Sequence, residues 1–533
     1  MTEHKGQNYL HGAAILTAGV IIMKILGFLY KMPIGNILGD DGYSYFFTSY
    51  NVYNVFLTLS TAGLPIALAR MISEANAQGR VNQLRRTFSV AWRTFFWVGL
   101  FCSLIMALFP RLIAERIMNN PGAALSIRVM SPSVLLVCLV SAYRGYCQGF
   151  GDMIPTTVGQ VLEVLVKVLV GLALAWFLIH ESYGKPLGAA GAIFGVTAGS
   201  AAALLYMWLH KRRHYRDEAV GDDTPDPDGV ILRRFLRIGI PIALGASVLA
   251  LLNMIDASLC MGRLKDAAGF SPAQAEELTG VYGKAQTIFN LPAANITPLT
   301  ISIVPAITAA IVKKQNDEAT RISEDSLRIA AVLSLPMGVG LTVLARPIMN
   351  LIYPGAHPVG GSLLAVLGLA SVFVCIVLME NAILQATGHE LLPVYSLFAG
   401  GVLKVVINFF LVGKHGVNIL GAPIGTLASY LLMAVINFVM MCFVLDKNPR
   451  LRVILLKPAL CTAAMAATAW SVFSLAERIL PHGRLGALLA VLPAILAAVA
   501  VYLVLTVLLR TVTKEDMALI PGGAKLARLL HMR

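Results

Sequence analysis

Charge is what this chain has least of. Only 13% of its 533 residues are Asp, Glu, Lys or Arg, against 57% hydrophobic. A soluble domain carries about 25% charged and about 45–50% apolar residues. Cysteines are few and scattered: Cys102, Cys138, Cys147, Cys260, Cys375, Cys442 and Cys461 stand singly, nearly all in apolar runs. Without a CxxC or a metal-ligand spacing, packing explains them and no metal is expected. Enzyme signatures are missing too. GFGDMI (149–154) lacks the third glycine of a dinucleotide loop, and GHELLP (388–393) lacks the second histidine of a zinc protease. There is no P-loop, so direct use of ATP is not expected, and neither is a catalytic residue or a cofactor. The N-terminal apolar segment has no cleavage site and runs on through 21–30, which predicts a retained first span.

Long apolar runs are what the chain has instead, such as 95–108 and 491–509. About 18 or more such residues cross the hydrocarbon core as a helix. The pattern predicts an all-α polytopic membrane protein of about fourteen transmembrane helices. They fall near 11–31, 43–69, 88–109, 124–148, 157–179, 188–209, 236–260, 280–312, 325–345, 360–386, 391–413, 418–445, 453–476 and 485–510. The net charge of +14 sits in short loops, including RVNQLRR (80–86), KRRHYR (211–216) and KK (313–314). That is the positive-inside signature and not a nucleic-acid stripe. About 25 basic residues lie on the side of the termini and about 9 on the other, which puts both termini in the cytoplasm of a multi-pass protein of the cell membrane.

The two halves resemble each other. QGFGDMIPTTVGQVLEVLVKV (148–168) pairs with QATGHELLPVYSLFAGGVLKVV (385–406), and GAAGAIFGVTAG (188–199) with ILGAPIGTLAS (419–429). A six-span unit used twice gives parallel repeats about a membrane-normal axis, a layout that transporters build around a central cavity. The expected domains are an N-terminal lobe at 1–210, a cytoplasmic linker at 211–235, a C-terminal lobe at 236–445, and two extra helices with a cytoplasmic tail at 446–533.

Ionisable residues inside the spans mark function, because each costs about 2.5–3.5 kcal/mol at the bilayer centre. The cations are Lys24, Lys31, Arg70, Arg144, Lys167, Lys284 and Lys404. They outnumber the acids Glu163, Asp256 and Glu380, which predicts an anionic substrate such as a phosphate or pyrophosphate bound by lysine point charges. Glu163 and Lys167 are spaced i,i+4 with Gln160 on the same stripe, so they read either as a structural ion pair or as part of the passage. Lys404 occupies the equivalent place in the second repeat with Gly400 where Glu would stand. Lys24 has no acid within one turn, whereas Lys31 lies near a span end where snorkelling competes. Arg70 and Arg144 read equally as headgroup contacts. Asp256, with Asn253 one turn earlier, and Glu380 are candidates for coupling or gating, with Na+, H+ or the membrane potential as the energy source.

YRGYCQGFGDMIPTTVGQVLEVLVKV resembles the signature stretch of the stage V sporulation protein B and lipid II flippase family of the MOP exporter superfamily. So do KILGFLYKMPIGNILGDDGYSYF, LSTAGLPIALARMISE, LLNMIDASL and VYGKAQTIFNLPAANITPLTISIVPAI. The resemblance implies two six-helix lobes around a cavity, with two extra helices guiding a polyprenyl tail. It implies a flippase for lipid II or a similar undecaprenyl-pyrophosphate-linked saccharide, acting as a monomer in peptidoglycan and polysaccharide biosynthesis or sporulation. Membrane lipids, and cell-wall synthesis proteins, are the partners it suggests. Where such flippases use arginine, this chain has Lys24 in span one and Asp256 in span seven. Two other readings compete: a cation-coupled multidrug antiporter, disfavoured by spans thirteen and fourteen, and a non-transporting scaffold for cell-wall or spore synthesis.

Overall fold

The computed structural model describes residues 9–215, 222–445, 449–480, 484–509 and 511. The N-terminal eight residues, the centre of the linker and the C-terminal tail lie outside the described residues. Fifteen helices organise the chain. They are α1 (Tyr9–Thr61), α2 (Leu64–Ala77), α3 (Val81–Leu108), α4 (Ala124–Gly149), α5 (Ile154–His180), α6 (Lys185–His214), α7 (Asp228–Asp266) and α8 (Pro272–Val312). After these come α9 (Asn316–Val343), α10 (Ala345–Ile352), α11 (Val359–Ala386), α12 (Leu392–Val412), α13 (Gly421–Val444), α14 (Leu451–Ile479) and α15 (Arg484–Leu508). Among the described residues, 13 helical stretches are long and apolar enough to span a membrane. The first of them breaks at Gly39, where φ is 75° and ψ is −170°, so it holds the first two expected spans.

The repeat predicted from sequence recurs in backbone detail. Gly151 and Gly388 have φ of 76° and 83°, the left-handed conformation that favours glycine after a helix. Their amides donate to the carbonyls of Gln148 and Gln385 at 2.9 and 3.0 Å. The next residues repeat too: Asp152 N–H donates to Cys147 O at 3.1 Å, and His389 N–H to Leu384 O at 3.0 Å. A proline in the first turn then opens α5 and α12, where its missing N–H leaves no helical bond unmade.

Packing order repeats as well. In one unit α3 packs on α4, α4 on α6 and α5 on α6; in the other α9 packs on α11, α11 on α13 and α12 on α13. Small residues allow the closest of these crossings. A Cβ on Gly195 would sit 2.6 Å from the carbonyl oxygen of Lys167, and one on Gly425 would sit 3.4 Å from that of Lys404. The two lysines therefore occupy matching places. Helices α14 and α15 pair with each other, and α14 leans on α9.

The chain divides into two compact units, residues 1–265 with 271–280 and residues 266–270 with 281–533. Helix α7, placed by the repeat at the start of the second lobe, packs in the first unit. Phe235 is buried against Phe95 at 5.9 Å between ring centroids, Gly239 abuts Gly63 and Leu64, and Arg234 pairs with Glu74 at 2.6 Å.

The described end of the linker is a strap over the start of α3. Asp223 accepts from the amides of Asn82 and Gln83 at 2.9 Å each, capping a helix whose own N-cap, Arg80, supplies no side-chain bond. Arg80 reaches Thr224 O and Asp226, and Asp228 pairs with Arg86 and Arg93. Desolvation works against the Asp223 carboxylate. The two amides and the Arg80 charge outweigh it and hold its pKa below the ordinary 3.8.

Candidate functional site

Intramembrane polar residues occur in both units, and in the first they gather into a group. In the first unit, α1 carries Lys24 and Lys31 seven residues apart, hence on one helical face. Lys167 of α5 comes close enough that its charge and that of Lys24 both bear on Lys31. Aromatic rings seat two of these ammonium groups. Lys31 Nζ lies 5.5 Å from the centroid of Tyr50, and Lys167 Nζ lies 5.6 Å from that of Tyr30. Tyr30 is locked by its hydroxyl, which donates to Ala192 O of α6 at 2.6 Å.

No described carboxylate forms an ion pair with Lys24, Lys31 or Lys167. The same-helix partner open to Lys167 is otherwise engaged. Glu163 takes Arg144 of α4 at 2.8 Å and the hydroxyl of Ser200 at 3.2 Å. Arg144 and Glu163 are both largely buried and cancel each other's charge, so three lysines stand in excess. Gln160 is half-buried on the same helix, its Oε1 without a partner among the described residues. Arg70 is exposed on α2 and pairs with no described acid. Asp256 is buried in α7, within 3.9 Å of Cys260 Sγ, while Asn253 one turn earlier is exposed.

In the second unit, Lys284 of α8 is buried with its Nζ 5.3 Å from the Tyr353 ring. Lys404 is half-buried on α12. Glu380 of α11 is 2% exposed and lies beside Asn437 of α13, whose amide also donates to Asn381 at 2.8 Å. Glu380 Oε2 has no hydrogen-bond partner among the described residues. A search for charged residues alone misses Asn381, Asn437 and the buried Asn408, and also the tyrosines that seat the lysines. An amide inside an unbroken apolar run is the signal that finds them.

Comparison with known proteins extends these observations. The family model for polysaccharide biosynthesis proteins matches residues 9–311. The lipid II flippase MurJ of Bacillus subtilis is 25% identical over 81% of this chain and 82% of its own. Stage V sporulation protein B of the same organism is 23% identical over 97% and 98%. Among solved structures, lipid II flippase MurJ in an inward closed conformation superposes with a TM-score of 0.68 at 13% identity, over 93% of this chain and 98% of that one. An inward-facing MATE multidrug resistance transporter of the MOP superfamily gives 0.67 at 17%, over 80% and 97%. With more than half its length matched by one family model, the chain belongs to the polysaccharide biosynthesis protein family.

Proposed function

We propose that the chain is a flippase that moves a polyprenyl-pyrophosphate-linked saccharide, a lipid II-like precursor, across the cytoplasmic membrane by alternating access. The observation that carries this reading is the group Lys24, Lys31 and Lys167, three cations with no described carboxylate paired to them. Three lysines at membrane depth would cost about 8–10 kcal/mol if left to hydrocarbon. A pyrophosphate supplies the compensating charge, and ammonium groups bind it as mobile point charges that release it again. The relatives named lipid II flippase and stage V sporulation protein B support this substrate class. The matched MATE structure covers 80% of the chain and the matched MurJ structure 93%, which favours the flippase reading over the multidrug one.

Coupling falls to the second unit in this reading. Glu380, buried beside Asn437 with one oxygen unsatisfied, takes up a proton or a cation as the cycle turns. The test is leaflet accessibility of lipid II in proteoliposomes. The full chain is expected to bring lipid II to the opposite leaflet, and the double variant Lys24→Ala, Lys167→Ala to lose the activity at normal abundance. Undiminished translocation by that variant would overturn the assignment.

A further inference from the structure

A cavity of about 710 Å³ lies in the second unit, walled by the ends of α9 and α14, by α10, and by the starts of α11 and α15. Its volume is in the range of small-molecule sites, about 300–1,000 Å³. Six lining residues define its chemistry: Arg346, Asn350, Ser362, Trp470, Ser474 and Glu477. None of the five polar side chains among them, Trp470 aside, makes a hydrogen bond or ion pair with a described residue. Arg346 and Glu477 share the cavity without meeting, so a cation and an anion face the same space across a gap. Arg346 is exposed, and its stem runs over Gly361, where a Cβ would stand 3.0 Å from the Arg346 Cα.

The surroundings name the ligand class. One guanidinium and one carboxylate make the cavity neutral, which suits a zwitterion and not a pyrophosphate or a doubly anionic lipid. The flank is apolar: Leu475, Ile479 and Leu485 are 62%, 72% and 76% exposed, a surface for acyl chains. Trp470 on the wall is the residue type that settles at membrane interfaces. We infer that this cavity binds the headgroup of an aminophospholipid, its phosphate on Arg346 and its ammonium on Glu477, with the hydroxyls and amide completing the shell. The site is separate from the lysine group and does not depend on what the protein moves.

The test uses the purified full-length chain and native mass spectrometry in equal mixtures of phosphatidylethanolamine and phosphatidylglycerol with identical acyl chains. Phosphatidylethanolamine is expected to be retained about tenfold over phosphatidylglycerol. Arg346→Ala and Glu477→Gln should each bring that ratio to about one, with an unchanged gel-filtration profile showing that each variant is folded. Equal retention by the wild type, preference for phosphatidylglycerol, or full preference surviving in both variants overturns the proposal. The wild-type ratio alone decides it if a variant fails to fold.

Discussion

At the scale of single residues, the Arg144–Glu163 pair separates structural charge from functional charge. Its side chains are 15% and 19% exposed, so removing one partner strands the other in a poor solvent. Glu163→Gln should therefore lower stability by about 3–5 kcal/mol, read as a fall in Tm of the detergent-solubilised protein, and Arg144→Met with Glu163→Leu should restore much of it. Lys24→Ala should behave oppositely, leaving Tm unchanged while lowering lipid II translocation by about tenfold or more. The sequence displayed every one of these residues but not their partners. A glutamate four residues before a lysine offers an ion pair along one helix, yet Glu163 turned to an arginine on the neighbouring helix, because Gly195 and Gly199 let α6 approach and fix the face that α5 presents. Such competition between a same-helix and a cross-helix partner is invisible to spacing.

At the scale of elements, glycine contacts and helix caps carry the argument. Gly199→Val should disrupt the α5–α6 crossing, since a Cβ there already runs into Glu163 O. A loss of about 1–3 kcal/mol is expected for such overpacking, seen as a lower Tm and poorer membrane yield. The Asp223 cap makes a different forecast. Its folded pKa is depressed, so its contribution is fully present above the ordinary value of 3.8 and is lost only as pH falls through the lower folded value. Hydrogen exchange at the amides of Asn82 and Gln83 should thus be flat with respect to this group at neutral pH, after correction for intrinsic rates, and should quicken in Asp223→Ala. The strap is also where the sequence was least informative. A segment rich in Asp, Pro and Gly reads as a flexible linker by composition, and only the positions of Arg80 at the N-cap of α3 and of Arg86 and Arg93 on that helix turn its acids into a fastening. The repeat turns, by contrast, were legible down to their glycine and proline, because a left-handed residue followed by a helix start has so few solutions.

At the scale of the whole molecule, membrane character and internal duplication followed from hydropathy and from two pairs of short segments. The grouping of α7 with the first unit did not, since a helix apolar on several sides can be buried against more than one neighbour. Orientation is the expectation that charge distribution makes most sharply. In a cysteine-free background, Lys314→Cys should react with a membrane-impermeant maleimide only from the cytoplasmic side, and Lys185→Cys only from outside. Reaction of both from one side would reverse or break the topology.

The break at Gly39 has a consequence for how the chain counts its crossings. Uninterrupted, the 53 residues from Tyr9 to Thr61 would make a rod about 80 Å long, more than twice the roughly 30 Å of bilayer hydrocarbon. With φ at 75° and ψ at −170°, a region essentially reserved for glycine, one residue without a side chain lets a single rod serve as two legs. Every later helix inherits its up or down sense from that corner. An alanine there would press on the direction of the entire chain, and not merely on a local turn.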